Sequence, residues 1–167
     1  MVYVSQDEAV AFGEWLTRRE REAGRLPDGF AYRLPSGDEW TVLAQCGDQR
    51  EFPWGSQWPP RYGNYADMTA RPLLGVFIEN YQDHFDVSCP VEASGSNTWG
   101  LCGVGGNVWE WTEESRGRLR LARGGSWDDY LEDFLTCSFR DELGASNRTF
   151  NVGFRMILGP VVNAVLK

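Results

Sequence analysis

From Cys46 to about Gly117, glycine, proline, asparagine, tryptophan and tyrosine dominate, and neither the helical nor the strand period persists. So long an irregular stretch is uncommon in a compact domain unless something other than regular hydrogen bonding organises it. Bound metal is one organiser and buried aromatic rings are another. Trp54, Trp58, Trp99, Trp109 and Trp111 fall within the stretch and are the expected anchors. The chain has 167 residues, 42% of them apolar and 14% aromatic, which is enough for one buried core. We therefore expect a single domain over residues 1–167, with its regular elements at the two ends of the sequence.

The flanks carry clearer patterns. Ser5-Gln6-Asp7-Glu8 has the spacing of a capping box, followed by Ala9, Phe12 and Leu16 at helical period and by Gly24 as a stop. Ser36-Gly37-Asp38-Glu39 repeats the box ahead of Trp40, Leu43 and Ala44, ending at Gly47. Beyond the irregular region, Leu119 to Arg123, Phe134 to Phe139 and Val152 to Leu158 read as short strands. The expected fold class is α+β, with two helices beside a small, largely antiparallel sheet.

Charge and composition exclude several functions. A net charge of −8 opposes binding to nucleic acid, whose phosphates repel an acidic field. The sequence holds no apolar run of the roughly 18 to 20 residues that span a bilayer, and Met1 leads into a polar segment, so we expect a soluble chain without membrane insertion or signal peptide. Cys46, Cys89, Cys102 and Cys137 are widely spaced and lack the C-x-x-C pairing of zinc sites. The one histidine, His84, has no nucleophile-elbow sequence to serve and reads as a loop residue.

Five landmarks occur in order: Arg33-Leu34-Pro35-Ser36 with Glu39-Trp40, Phe52-Pro53-Trp54-Gly55, Gly106-Asn107-Val108-Trp109-Glu110-Trp111, Arg123-Gly124-Gly125-Ser126-Trp127, and Gly153-Phe154-Arg155. An extended Trp-Glu-Trp puts both rings on one face and the carboxylate on the other. Together the landmarks resemble the formylglycine-generating-enzyme, or sulfatase-modifying-factor, family across about Val4 to Leu158. The resemblance implies a C-type-lectin-like fold, and implies that the chain lacks the family's N-terminal portion.

It also implies site residues. Calcium is the expected cofactor, at Asn64, Tyr65, Asp83 and Phe85, with a second set at Asn107, Val108 and Glu110; oxygen donors of these kinds suit a hard cation. Read without the resemblance, the same Asn and Asp residues cap turns. The family's enzymes oxidise a substrate cysteine with copper held by two cysteines five positions apart. Cys137 matches the second, but Glu132 stands at the first, and carboxylate is a poor ligand for Cu(I). An oxygen-dependent thiol oxidoreductase, with Cys137 as one metal ligand and a second brought from elsewhere, such as Cys102, is the alternative to a noncatalytic binding protein.

The scaffold is also similar to variable proteins of diversity-generating retroelements, whose randomised residues precede Gly-Phe-Arg. Trp127, Asp128, Asp129, Tyr130, Phe139, Asp141, Leu143, Thr149, Phe150 and Asn151 mix aromatic and small polar side chains there, a composition suited to adaptable recognition. An otherwise unidentified protein or other macromolecule is the expected ligand, with a basic partner preferred.

Overall fold

Each capping box closes a helix start as expected. In the computed structural model, which describes residues 1–161, Ser5 and Glu8 exchange bonds between side chain and backbone at the start of α1, Gln6–Glu22. Ser36 and Glu39 do the same for α2, Gly37–Gln45. The buried face of α1 is Gln6, Ala9, Gly13 and Thr17, whereas Phe12 and Leu16 lie towards its edges. The small residues face inward because the helix runs against strand β1, Phe30–Arg33; a Cβ on Gly13 would sit 2.8 Å from the Tyr32 carbonyl oxygen. The Thr17 hydroxyl accepts the Tyr32 amide at 2.8 Å and fixes the contact.

The main sheet contains β2, Trp109–Arg116, β3, Leu119–Arg123, β4, Asp141–Gly144, and β5, Val152–Phe154, in the order β4-β3-β2-β5. Its pairings are antiparallel except that of β2 with β5, which is parallel. A separate antiparallel ribbon joins β1 to β6, Ile157–Pro160. The expected strand from Val152 to Leu158 is thus two strands, which leave the main sheet for the ribbon across Arg155 and Met156. The expected strand from Phe134 to Phe139 is a correction: Glu132–Leu135 forms a 3-10 turn, and a further turn bonds the Phe139 amide to the Thr136 carbonyl. That double turn folds Phe139 back onto Trp109, with ring centroids 5.8 Å apart. Trp109 to Arg116 belongs to the sheet and not to the irregular region, which therefore ends sooner than its composition indicates.

Between α2 and β2 the regular structure amounts to a short helix, α3, Arg71–Leu74, and one 3-10 turn at Val91–Ala93. Buried rings organise the rest. Phe52 and Trp54 stack 4.7 Å apart and pack with Tyr65, Ile78 and Leu135. Trp109 and Trp111 share a second cluster with Ala9, Leu34, Ala122 and Val152. Trp58 and Trp99 are exposed and do not anchor the region.

Buried polar groups supply the remaining order. Asp67 is wholly buried and accepts the amides of Thr69, Ala70, Asp83 and His84, which fixes two distant loops with one carboxylate. Among the described residues no helix is long and apolar enough to cross a membrane.

Candidate functional site

Strand β2 places Trp109 and Trp111 in the core and turns Glu110 to the opposite face, as the extended spacing requires. There the Glu110 carboxylate accepts Trp40 Nε1 at 2.9 Å and is bound in two places by Arg155, at 2.8 and 3.0 Å. Glu110 is 6% exposed. Arg155 also donates to the Cys102 carbonyl at 2.8 Å. Three of the five landmarks therefore meet in a single buried network.

That network bears on the second calcium set. Asn107 Oδ1 accepts the Cys89 amide at 2.9 Å and its Nδ2 donates to the Cys89 carbonyl, while both oxygens of Glu110 are occupied by Arg155. With its side-chain donors satisfied inside the protein, the set at Asn107, Val108 and Glu110 does not fit a cation in this arrangement.

The first set is different. Asn64 is wholly buried, and its Nδ2 donates to the Val87 carbonyl at 2.9 Å. Its Oδ1 is buried without a hydrogen-bond partner, a state that ordinarily costs stability. Asp83 accepts the amide of Tyr65, the residue after Asn64, and that of Phe85, at 2.9 Å each. Burial pushes the Asp83 carboxyl up to about 6, and those amide bonds oppose the rise. An orphaned amide oxygen and a carboxylate without an ion-pair partner among the described residues, linked through the Tyr65 amide, are oxygen donors of the kind a hard cation takes.

Cys137 is 1% exposed and packs with Trp40, Ala44 and Val104. Burial pushes its thiol up to about 12, which disfavours the thiolate that nucleophilic attack requires. Glu132, at the position of the missing partner, is exposed on the 3-10 turn. All four cysteines are free, and among the described residues no group of three His, Cys, Asp or Glu side chains is arranged to hold a metal. These donors do not fit copper.

The expected ligand face divides in two. Trp127 is mostly buried, at 8% exposure, and meets the exposed Phe150 with ring centroids 5.6 Å apart, so it supports the face more than it presents it. Next to them, Asn151 Nδ2 bonds both oxygens of Asp128 at 3.1 and 3.3 Å, and the Ser126 hydroxyl reaches Asp128 at 2.7 Å. Tyr130 is exposed nearby in the chain. Asp129 turns inward to the Ser126 amide and hydroxyl, and burial pushes its carboxyl up to about 6.

Phe139 and Leu143 are a correction. Both pack onto the Trp109 cluster, Phe139 also lying 4.8 Å from Phe134, so they support the face from beneath and do not present it. Asp141 is half-buried on β4 opposite Ala122. The Thr149 carbonyl accepts the Tyr3 amide at 2.9 Å. This contact brings in residues that the sequence did not single out: Tyr3, Leu73 and Val87 join Trp127 and Phe150 around an open recess of about 520 Å³. Their exposure is the signal, and a linear sequence does not display it.

A small twisted sheet, irregular backbone pinned by buried rings, and the Trp40–Glu110–Arg155 network define a C-type-lectin-like module of the formylglycine-generating-enzyme type. Residues 1–159 match the sulfatase-modifying factor enzyme 1-like domain, and the chain belongs to that family. It is 34% identical to the formylglycine-generating enzyme of Thermomonospora curvata, over 96% of this chain and 56% of that protein. Identity to the Mus musculus enzyme is 30%, over 93% and 43%. The inactive C-alpha-formylglycine-generating enzyme 2 of Mus musculus is 31% identical, over 77% and 38%. The chain thus spans about half the length, or less, of these relatives.

Among solved structures, CarF superimposes with a TM-score of 0.69 at 21% identity, covering 96% of this chain and 67% of that one. Treponema denticola variable protein 1 superimposes at 0.66 and 17%, covering 93% and 69%. At such identities these likenesses show the fold.

Proposed function

We propose that this chain is a noncatalytic ligand-binding protein that recognises a protein or other macromolecule through the face at Trp127, Tyr130 and Phe150. The observation that carries the reading is the open apolar recess to which Trp127 and Phe150 contribute, at the two ends of the segment where the related scaffold of variable proteins places its recognition residues. Trp127 is largely buried, and the exposed rings at the recess are those of Tyr3 and Phe150; exposed aromatic side chains around a recess are the usual energetic centre of an interface. The protonated, buried Cys137 supports the same reading, because a thiol oxidase needs an accessible thiolate pair.

Calcium at Asn64 and Asp83, with the Tyr65 and Phe85 carbonyls, belongs to this proposal as a structural ion that completes the loops behind the face. Diversification of residues 128–151 is a finer part of the same proposal.

The relatives named as formylglycine-generating enzymes favour a second reading, a copper-dependent oxidase acting on a thiol. It requires Cys137 to leave its packing against Trp40.

Tyr130→Ala and Phe150→Ala remove rings that are 38% and 45% exposed, so both variants should fold as the parent does. Against a partner captured by the parent protein, each should weaken binding by about ten-fold or more in surface plasmon resonance, the loss expected for an aromatic anchor. Unchanged affinity in both would rule this face out.

A further inference from the structure

Resting on the binding reading above, we infer that the recess at Trp127 and Phe150 takes the lysine or arginine side chain of a basic partner polypeptide, with its cationic head at Asp128. Three aromatic residues from distant parts of the chain, Tyr3, Trp127 and Phe150, line the recess, and Leu73 and Val87 complete its apolar wall. Ring faces attract cations, and the methylene stems of lysine and arginine lie readily along apolar surface.

Tyr3 is placed there under constraint. Its φ of +58° lies in the left-handed region, which an aromatic residue seldom adopts, and its amide is tied to Thr149 at 2.9 Å, next to Phe150. The ring it presents is 62% exposed. Such a conformation persists where the surrounding structure imposes it, and ligand clamps are among the places where it is found.

The charge at the recess is also unbalanced. Asp128 is half-buried and is held by neutral donors, the Ser126 hydroxyl and the Asn151 amide, which orient the carboxylate without neutralising it. Asp86, beside Val87 of the wall, is exposed. Among the described residues neither acid forms an ion pair. Arg148 is bound to Glu8 at 2.9 and 3.0 Å, and Arg71 lies 5.2 Å from the Phe77 ring, so two arginines of neighbouring segments are already engaged. Asp128 follows Trp127 in the chain and is bonded to Asn151, which follows Phe150, so an unpaired carboxylate adjoins two residues of the recess wall; on a chain of net charge −8 this is complementary to an organic cation.

Two probes with the same four-carbon side-chain stem, differing in the terminal ammonium, separate charge from greasiness: Nα-acetyl-lysine methylamide and its norleucine counterpart. The readout is the indole resonance of Trp127 in tryptophan-labelled protein, assigned among the eight tryptophans by Trp127→Phe. The lysine compound should shift that resonance saturably, at a concentration about ten-fold below that needed by the norleucine compound. Asp128→Asn should raise the lysine compound's half-saturation point to that of norleucine and leave norleucine's unchanged. Equal binding of the two compounds to the parent protein, or no effect of Asp128→Asn, overturns the cation assignment while the apolar recess stands. No shift of Trp127 with either compound overturns the recess as a binding site altogether.

Discussion

Glu110→Ala should lower the unfolding free energy by about 3–5 kcal/mol, the loss expected when one partner of a buried ion pair is removed. In a chain of this size that corresponds to roughly 10 °C in thermal midpoint. The substitution strands two groups at once: the Arg155 guanidinium, whose side chain is 20% exposed, and the Trp40 indole N–H. Glu110 also stands where β2 meets β3 and β5, opposite Arg123 and Gly153, so the damage falls at the centre of the main sheet. The double variant Glu110→Leu, Arg155→Met should recover part of the loss, because it removes both charges and leaves only neutral groups, the Trp40 N–H and the Cys102 carbonyl, without these partners. Circular dichroism melts of the singles and the double measure the coupling. Additive losses would mean that the pair does not act as a unit.

The second large effect is calcium. At a concentration 100-fold above its dissociation constant, an ion that binds only the folded chain adds about 2.7 kcal/mol. The increment should vanish in Asp83→Asn and persist in Asp48→Asn, which alters an exposed acid held by Arg50 at 2.7 Å. Its pH dependence follows from Asp83, whose folded value of about 6 lies above the ordinary 3.8. The folded carboxyl holds its proton more firmly than the unfolded one, so without calcium Asp83 makes the protein lose stability as pH rises from about 4 to 6. Asp129, raised in the same way to about 6, adds to that slope. Calcium needs the ionised carboxylate, so its increment should be small at pH 5 and complete above about pH 7. Melts with calcium and with chelator at both pH values test this, and an increment of equal size at both would remove Asp83 from the site.

The parts of the fold that were legible in the sequence are those where local chemistry decides. Both capping boxes name their own partners, and the Trp-Glu-Trp triplet declares its two faces by alternation alone. Phe134 to Phe139 misleads because its apolar residues satisfy a strand pattern while serving a turn whose shape is set by Trp109, far away in sequence. β4 escapes notice because Asp-Glu-Leu-Gly has no strand preference of its own and is held by its register with β3.

The same distinction holds for the site. Trp127, Asp128, Phe150 and Asn151 stand out by composition next to a fixed motif. Tyr3 does not, since its place beside Phe150 depends on a single long-range backbone bond to Thr149. Asn64 and Asp83 are legible only through the family resemblance. What makes them a candidate ion site, an amide oxygen buried without a partner, is a property of packing.

The most direct test of whether this scaffold binds without catalysing is a Cu(I) titration against a chromophoric chelator, run on the parent protein and on Cys137→Ala, with oxygen uptake followed on a cysteine-containing peptide. We expect the two proteins to take up copper identically and neither to consume oxygen beyond copper alone. One Cu(I) per chain that is lost in Cys137→Ala, together with oxygen uptake by the parent protein only, would contradict the binding reading and establish the oxidase.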